Sequence, residues 1–199
     1  MKEHLLGSIR MTIVMTALLG FAYPAAVWGV GRLALREEAA GGFLRRIGAD
    51  AGAPPVGSAL IGQFFHSKNL FHSRPSAAGD AGYDATQSGG TNLGPTSKKL
   101  AEAIGAAVVA ARLENPAAAA SPVPADAVTS SASGLDPHIS PEYALWQVPR
   151  VARETGVPEA DLGRMVAART EGRFLGLWGA PRVNVLCLNL DLVARGAAP

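Results

Sequence analysis

Residues 11–31 read MTIVMTALLGFAYPAAVWGVG without a single charge, closed by Arg10 on one side and Arg32 on the other. Roughly 20 apolar residues rising ~1.5 Å each match the ~30 Å hydrocarbon core of a bilayer. That match makes a membrane-spanning helix the first expectation. Tyr23 and Trp28 lie toward its C-terminal end, where amphipathic rings prefer the headgroup level. Pro24 is expected to kink the helix, because it has no N–H for the preceding turn. Thr12, Thr16, Ala17 and Gly20 are small enough to admit a partner helix, so Thr12, Thr16, Gly20 and Pro24 are the candidate membrane contacts. A cleaved signal peptide would have a shorter apolar core and a small-x-small cleavage site, which Tyr23-Pro24 and Val27-Trp28 disrupt. Lys2 and Arg10 precede the span, whereas Arg32, Arg36, Arg45 and Arg46 follow it. Positive charges alone would put the larger domain inside, but long domains translocate largely regardless of them, so the count does not choose a side.

The domain division that follows is a short tail at 1–10, a transmembrane helix at 11–35, a connector at 36–57 and a soluble domain at 58–195. A formal net charge of +2 with no clustered basic face argues against nucleic acid. The lone Cys187 can form no internal disulfide, so the soluble part must be held by packing.

Ala59–Phe65 (ALIGQFF) reads as a short buried strand, and 66–95 as a long irregular stretch of the kind that is usually functional. Thr96 is expected to cap a helix whose inner face is Leu100, Ile104, Ala107, Val108 and Ala111. Asn115-Pro116 stops it, with Asn115 in a left-handed cap. The Ala/Pro tract 116–125 reads as a surface crossing, and Ala127–Ser131 as a short strand. Ser140-Pro141-Glu142 opens a helix interrupted by Pro149 and ended by Gly156. Pro158-Glu159 starts the last helix, with Leu162, Met165 and Val166 inward. Arg182–Val193 (RVNVLCLNLDLV) alternates polar and apolar residues and reads as a strand. Short strands with three helices give an α+β fold: one N-terminal transmembrane helix followed by a small mixed α/β soluble domain.

Asp136 and His138, with His66 and His72 elsewhere, are candidate zinc ligands. No HExxH or CxxC spacing makes them converge, and an Asx-turn at Asp136, with His138 capping the turn before the Ser140 helix, is the plainer reading. Ser88-Gly89-Gly90-Thr91-Asn92 leads through Gly94-Pro95-Thr96 into a helix and could meet an anion. It lacks the Gly-Lys-Ser/Thr of a P-loop, so a rigid docking loop is favoured. No Gly-x-Ser-x-Gly elbow and no oriented carboxylate pair is present. A membrane-tethered extracytoplasmic metallohydrolase built on His66, His72, Asp136 and His138 is the rival from another class, and a solute-binding or adhesion domain a third reading.

Six runs taken in order, 57–63 (GSALIGQ), 71–77 (FHSRPSA), 88–95 (SGGTNLGP), 131–141 (SASGLDPHISP), 146–152 (WQVPRVA) and 181–186 (PRVNVL), resemble the C subunit of the Kdp potassium-transporting ATPase. The resemblance implies a single-pass protein of the bacterial cell inner membrane with its soluble domain on the outer face. Its implied partners are a channel-like potassium-translocating subunit and a P-type ATPase subunit, and its implied role is that of a non-enzymatic catalytic chaperone raising the ATPase subunit's affinity for ATP. ATP is then the implied cofactor, bound mainly by the ATPase subunit, with no metal. Ser88, Gly89, Gly90, Thr91, Asn92, Asp136 and His138 become the candidate nucleotide or partner contacts. The lengthened Ala-rich tract at 117–120 is a departure confined to a loop.

Overall fold

A computed structural model of the chain describes residues 2–50 and 52–196. It divides into two compact units, one ending at Phe43 and the other beginning at Leu44. In the first, α1 (Lys2–Ala17), a π-helical turn (Leu18–Ala22) and α2 (Tyr23–Ala34) follow without a break, and a one-turn α3 (Arg36–Ala39) comes after them. The stretch His4–Ala34 is long and apolar enough to cross a membrane. Residues 2–10, expected as a tail, are helical.

The expected disturbance at Pro24 is the π-turn. Pro24 offers no N–H to the Gly20 carbonyl, and the Tyr23 N–H reaches back to the Leu18 carbonyl. The extra residue in that turn leaves Pro24 about 20° around the helix from Thr16, instead of about 80° for an unbroken α-helix. Thr12, Thr16 and Pro24 therefore share a side, and Thr16 lies over Gly20, whose added Cβ would be 3.8 Å from Thr16 Cγ2.

The second unit is mixed helix and strand, as expected. Its sheet has the order β3 (His138–Ile139), β5 (Arg182–Asn184), β4 (Thr170–Glu171), all antiparallel. Around it stand α4 (Lys98–Glu114), α5 (Pro141–Thr155), α6 (Glu159–Ala168) and α7 (Val185–Ala194). Two further two-residue strands, β1 (Phe43–Leu44) and β2 (Gly57–Ser58), lie earlier in the chain and pair with each other.

α5 begins where its punctuation says. Ser140 Oγ accepts the Tyr143 N–H, Pro141 sits at the first turn, and Gly156 closes the helix at φ 74°. Pro149 does not break it: the carbonyl it orphans belongs to Leu145, on the solvent side. α6 buries Leu162, Met165 and Val166 against the core. In α4 the five expected inner residues are the half-buried ones, but Ser97 caps the helix in place of Thr96. Asn115 ends α4 at φ −125°, not left-handed, because its side chain is buried and donates to the Trp146 carbonyl.

Three expected strands are corrected. Arg182–Val193 is strand only to Asn184, whose side chain then accepts the Cys187 N–H and starts α7. Val185, Leu186, Leu188, Asn189 and Leu192 are buried at helical spacing, so the two-residue alternation in this apolar run was coincidental. Pro158-Glu159 consequently opens the penultimate helix. At Ala59–Phe65 only Ile61 makes a bridge, to Ser58. Its backbone groups are taken singly by other segments: Gly62 N–H by Leu135 O and Ala59 O by Asn184 Nδ2. At Ala127–Ser131 a 3₁₀ turn (Ala125–Ala127) bends the chain, and Thr129 Oγ1 donates back to Ala125 O. The 116–125 tract is also not wholly surface, since Ala118 is buried.

The core is Phe71, Val151, Leu162, Val183, Leu188 and Leu192, all fully buried. Phe71 belongs to no strand or helix, yet its N–H and C=O are both satisfied by the amide of Asn189, at 2.8 and 2.9 Å. Gln147 does the same for His72, at 2.7 and 3.0 Å. Asn189→Leu keeps the volume and strands two buried backbone groups, at about 1–3 kcal/mol each. Urea unfolding of the full chain in detergent should register a loss of about 3 kcal/mol, against less than about 0.5 kcal/mol for Arg153→Ala on the surface.

Candidate functional site

Loops from four of the six runs converge beside β3. Ser76 Oγ donates to Gly134 O at 2.6 Å and accepts the N–H groups of Ala78 and Tyr83. Tyr83 donates its phenol to Arg74 O at 2.9 Å, and burial pushes that phenol up, keeping it a donor. Gly134 adopts φ +67°, and a Cβ there would lie 2.8 Å from Gly89 O. Only glycine allows both the turn and the contact between the two loops.

Arg74 is held on three sides. Its Nε donates to Thr129 O at 3.2 Å, Nη2 lies 3.4 Å from Thr129 Oγ1 and Ser130 O, and Nη1 is 3.3 Å from Asp136 Oδ2. Asp136 also accepts the His138 N–H at 3.0 Å, the expected Asx-turn, with His138 Nδ1 3.5 Å away. Burial alone would raise the Asp136 carboxyl. The hydrogen bonds from His138 and the charge of Arg74 outweigh it and hold the group below the usual carboxylate range. It is Asp126, and not His138, that secures the start of α5, by accepting the Ser140 N–H at 2.6 Å and hydroxyl at 3.0 Å. These side chains line an open cleft of 550 Å³ with Arg182, which pairs with Glu171.

A second cluster lies at the end of α4. His72 Nδ1 is 2.7 Å from Glu114, and Arg150 Nε is 3.6 Å from the same carboxylate. The His72 hydrogen bond is the main reason Glu114 sits below its ordinary range, against a burial effect in the other direction. Arg150 is almost wholly buried. Burial pulls its guanidinium down, but it donates to Lys68 O, to Leu70 O at 3.0 Å and to Gln147 Oε1 at 2.7 Å.

The candidate zinc ligands do not assemble. His66 stacks by Phe64, His72 is engaged with Glu114, and only Asp136 and His138 meet. Among the described residues no group of three or more His, Cys, Asp or Glu side chains is placed to hold a metal. Cys187 lies on α7, and burial pushes its thiol up, away from the reactive thiolate.

Ser88, Gly89, Gly90, Thr91 and Asn92 lie apart from the cleft lining. Ser88 Oγ and Gly89 N–H both donate to Ser133 O, at 3.0 and 2.9 Å. Gly90 backs onto Ala132, while Thr91 and Asn92 are exposed, Asn92 at φ 53°. Ser97 Oγ takes the Leu100 N–H, and Lys98 is paired with Glu102. Of the donors in this loop, Gly89 N–H and Ser88 Oγ already serve Ser133 O and are closed to an anion. Asp126, Arg150, Gln147 and Asn189 escaped sequence reasoning. The available signal was a polar residue on an otherwise apolar helical face, as at Gln147 and Arg150 among Tyr143, Ala144 and Val151.

Residues 5–194 match the family model KdpC, described as K+-transporting ATPase, c chain. Curated relatives named potassium-transporting ATPase KdpC subunit are similar over nearly the whole length. That of Koribacter versatilis is 49% identical over 96% of this chain and 95% of its own. That of Allorhizobium ampelinum is 50% identical over 99% of both, and that of Myxococcus xanthus 52% identical over 98% of this chain and 90% of its own.

Both depressed carboxylates stabilise the fold while ionised. Their contribution is complete above the unfolded carboxyl range of about 4 and is lost as pH falls through the lower folded value. Asp136→Asn should melt lower than the parent chain at pH 7 and lose less on acidification from about pH 5 to 3. Thermal melts of the full chain across that range read the effect.

Proposed function

Since this chain belongs to the KdpC family, the c chain of K+-transporting ATPases, we propose that it is a non-catalytic, single-pass inner-membrane subunit that assembles with the channel-like and P-type ATPase subunits and raises the latter's affinity for ATP. The observation that carries this reading is the Arg74–Asp136–His138 chain, three ionisable side chains bonded in sequence in the lining of an open cleft. Of the hydroxyls in the lining, Ser140 Oγ is occupied with Asp126 and the Tyr143 N–H, and Thr129 Oγ1 with Ala125 O and Arg74. Arg74 is bonded to Thr129, Ser130 and Asp136, and Asp136 to His138, so this surface is fixed in place before a partner arrives, which suits docking.

The soluble unit belongs on the outer face in this reading, with Ser88, Gly89, Gly90, Thr91, Asn92, Asp136 and His138 facing a partner subunit. ATP is then bound by the ATPase subunit on the other side of the membrane. The effect on it is indirect and works by favouring one state of a conformational equilibrium that the ATPase subunit shares. A tenfold gain in ATP affinity needs only about 1.4 kcal/mol of such coupling. The ridge of Thr12, Thr16, Gly20 and Pro24 on the membrane helix is where a partner helix would receive it.

ATPase assays on the reconstituted complex, with and without this chain, test the proposal. Omitting the chain should raise KM for ATP several-fold and leave the rate at saturating ATP much less affected. Arg74→Ala should weaken capture of the two larger subunits on the order of tenfold, the scale of an arginine hot spot. An unchanged KM without the chain, or substrate turnover by the purified chain alone, would overturn it.

A further inference from the structure

The hairpin joining β4 to β5 carries the most exposed apolar cluster of the soluble unit. Phe174, Leu175, Leu177 and Trp178 are 70%, 73%, 69% and 60% exposed. Isolated exposed leucines need no explanation, but four large apolar side chains within five positions do.

The tip is ordered. Phe174 and Trp178 exchange backbone hydrogen bonds at 2.8 and 3.1 Å, and the Leu177 N–H donates to Phe174 O at 3.1 Å. Leu175 and Gly176 occupy the two central positions at φ 51° and 73°, the signature of a tight hairpin turn that ordinarily takes Asn-Gly or Asp-Gly. A leucine there is disfavoured by its own backbone and, at 73% exposure, gains no compensating burial within the chain. Residues 172–181 (GRFLGLWGAP) carry one charge, Arg173, and no acid.

Lipid suits this chemistry. Trp and Phe with a neighbouring Arg are the side chains that settle at the headgroup level, where the indole N–H and the guanidinium stay wet. The chain is already committed to a bilayer by His4–Ala34, and about ten residues separate that helix from the second unit, a reach of at most ~35 Å. The bilayer surface is therefore at high effective concentration around the hairpin. We propose that the Phe174–Trp178 tip inserts into the headgroup–acyl boundary of the membrane and docks the soluble unit onto it. This does not depend on which side of the membrane the unit occupies.

The chain has three tryptophans, Trp28, Trp146 and Trp178. Trp28→Phe removes the one in the span, and Trp146, in the core, remains as an internal reference. Full-length W28F protein is placed in phosphatidylethanolamine/phosphatidylglycerol vesicles with lipids brominated near the carbonyl end of the acyl chains. It should lose up to about half of its emission, the Trp178 share, with a blue shift. Adding W178F should abolish the quenching, and adding F174S/L177S instead should reduce it several-fold while Trp146 emission reports an intact core. A red, unquenched Trp178 in the vesicles would overturn the proposal. So would shielding of Trp178 that arises only when the other subunits are present, which would make the tip a protein contact.

Discussion

The soluble unit depends on satisfying the backbone of a segment that has no strand to pair with. From Lys68 to Ser73 the chain crosses the core without a ladder, yet Phe71 is fully buried. Buried amide groups without partners would cost more than the phenylalanine contributes, about 2 kcal/mol. The solution is side-chain mimicry of a neighbouring strand. Asn189 from α7 and Gln147 from α5 each donate to and accept from one residue, and buried Arg150 takes two carbonyls. These clamps hold one loop from two helices, and the Gln147 oxygen is shared between His72 and Arg150.

Part of the candidate docking surface hangs from that loop. Once residues 70–73 are fixed, Ser73 reaches Gln63 O, Arg74 reaches Thr129 and Asp136, and Ser76 reaches Gly134. The six runs through which the sequence resembles its family are thus partners of one another: 57–63 bonds 131–141 and 181–186, 71–77 bonds 131–141 and 146–152, and 88–95 bonds 131–141. Their chemistry is structural first. Electrostatics follows the same division, with Asp136 and Glu114 each ionised below the ordinary range to serve a neighbouring cation or imidazole. Removing one partner strands the other in a half-buried site.

Legibility in the sequence followed the locality of the cause. The membrane helix and α5 are specified by signals within themselves: apolar length in one, Ser140, Pro141 and Gly156 in the other. α5 was readable to the residue, and the apolar helix in its existence and its end at Ala34, although its start lies earlier than the apolar run indicates. The inner face of α4 was readable too, although the cap moved by one residue to Ser97. α7 was misread because an alternating apolar run also presents a helical stripe, and the deciding event is Asn184 capping Cys187. Ala59–Phe65 failed differently. It has strand composition, but its hydrogen bonds go to Leu135 and Asn184, far away in sequence. The site shows the same pattern. Asp136 and its Asx-turn are local and were found, whereas Asp126, Gln147 and Asn189 act across long separations that no spacing reports.

The proposed docking role asks for a platform that is rigid before any partner arrives. Hydrogen exchange in the isolated full-length chain examines that rigidity at its source. The Phe71 and His72 amides, held only by side chains, should exchange as slowly as those of Val151 and its neighbours in α5. Exchange of Phe71 and His72 at the rate of the exposed 85–92 loop would contradict it, because the platform would then have to be assembled by its partners.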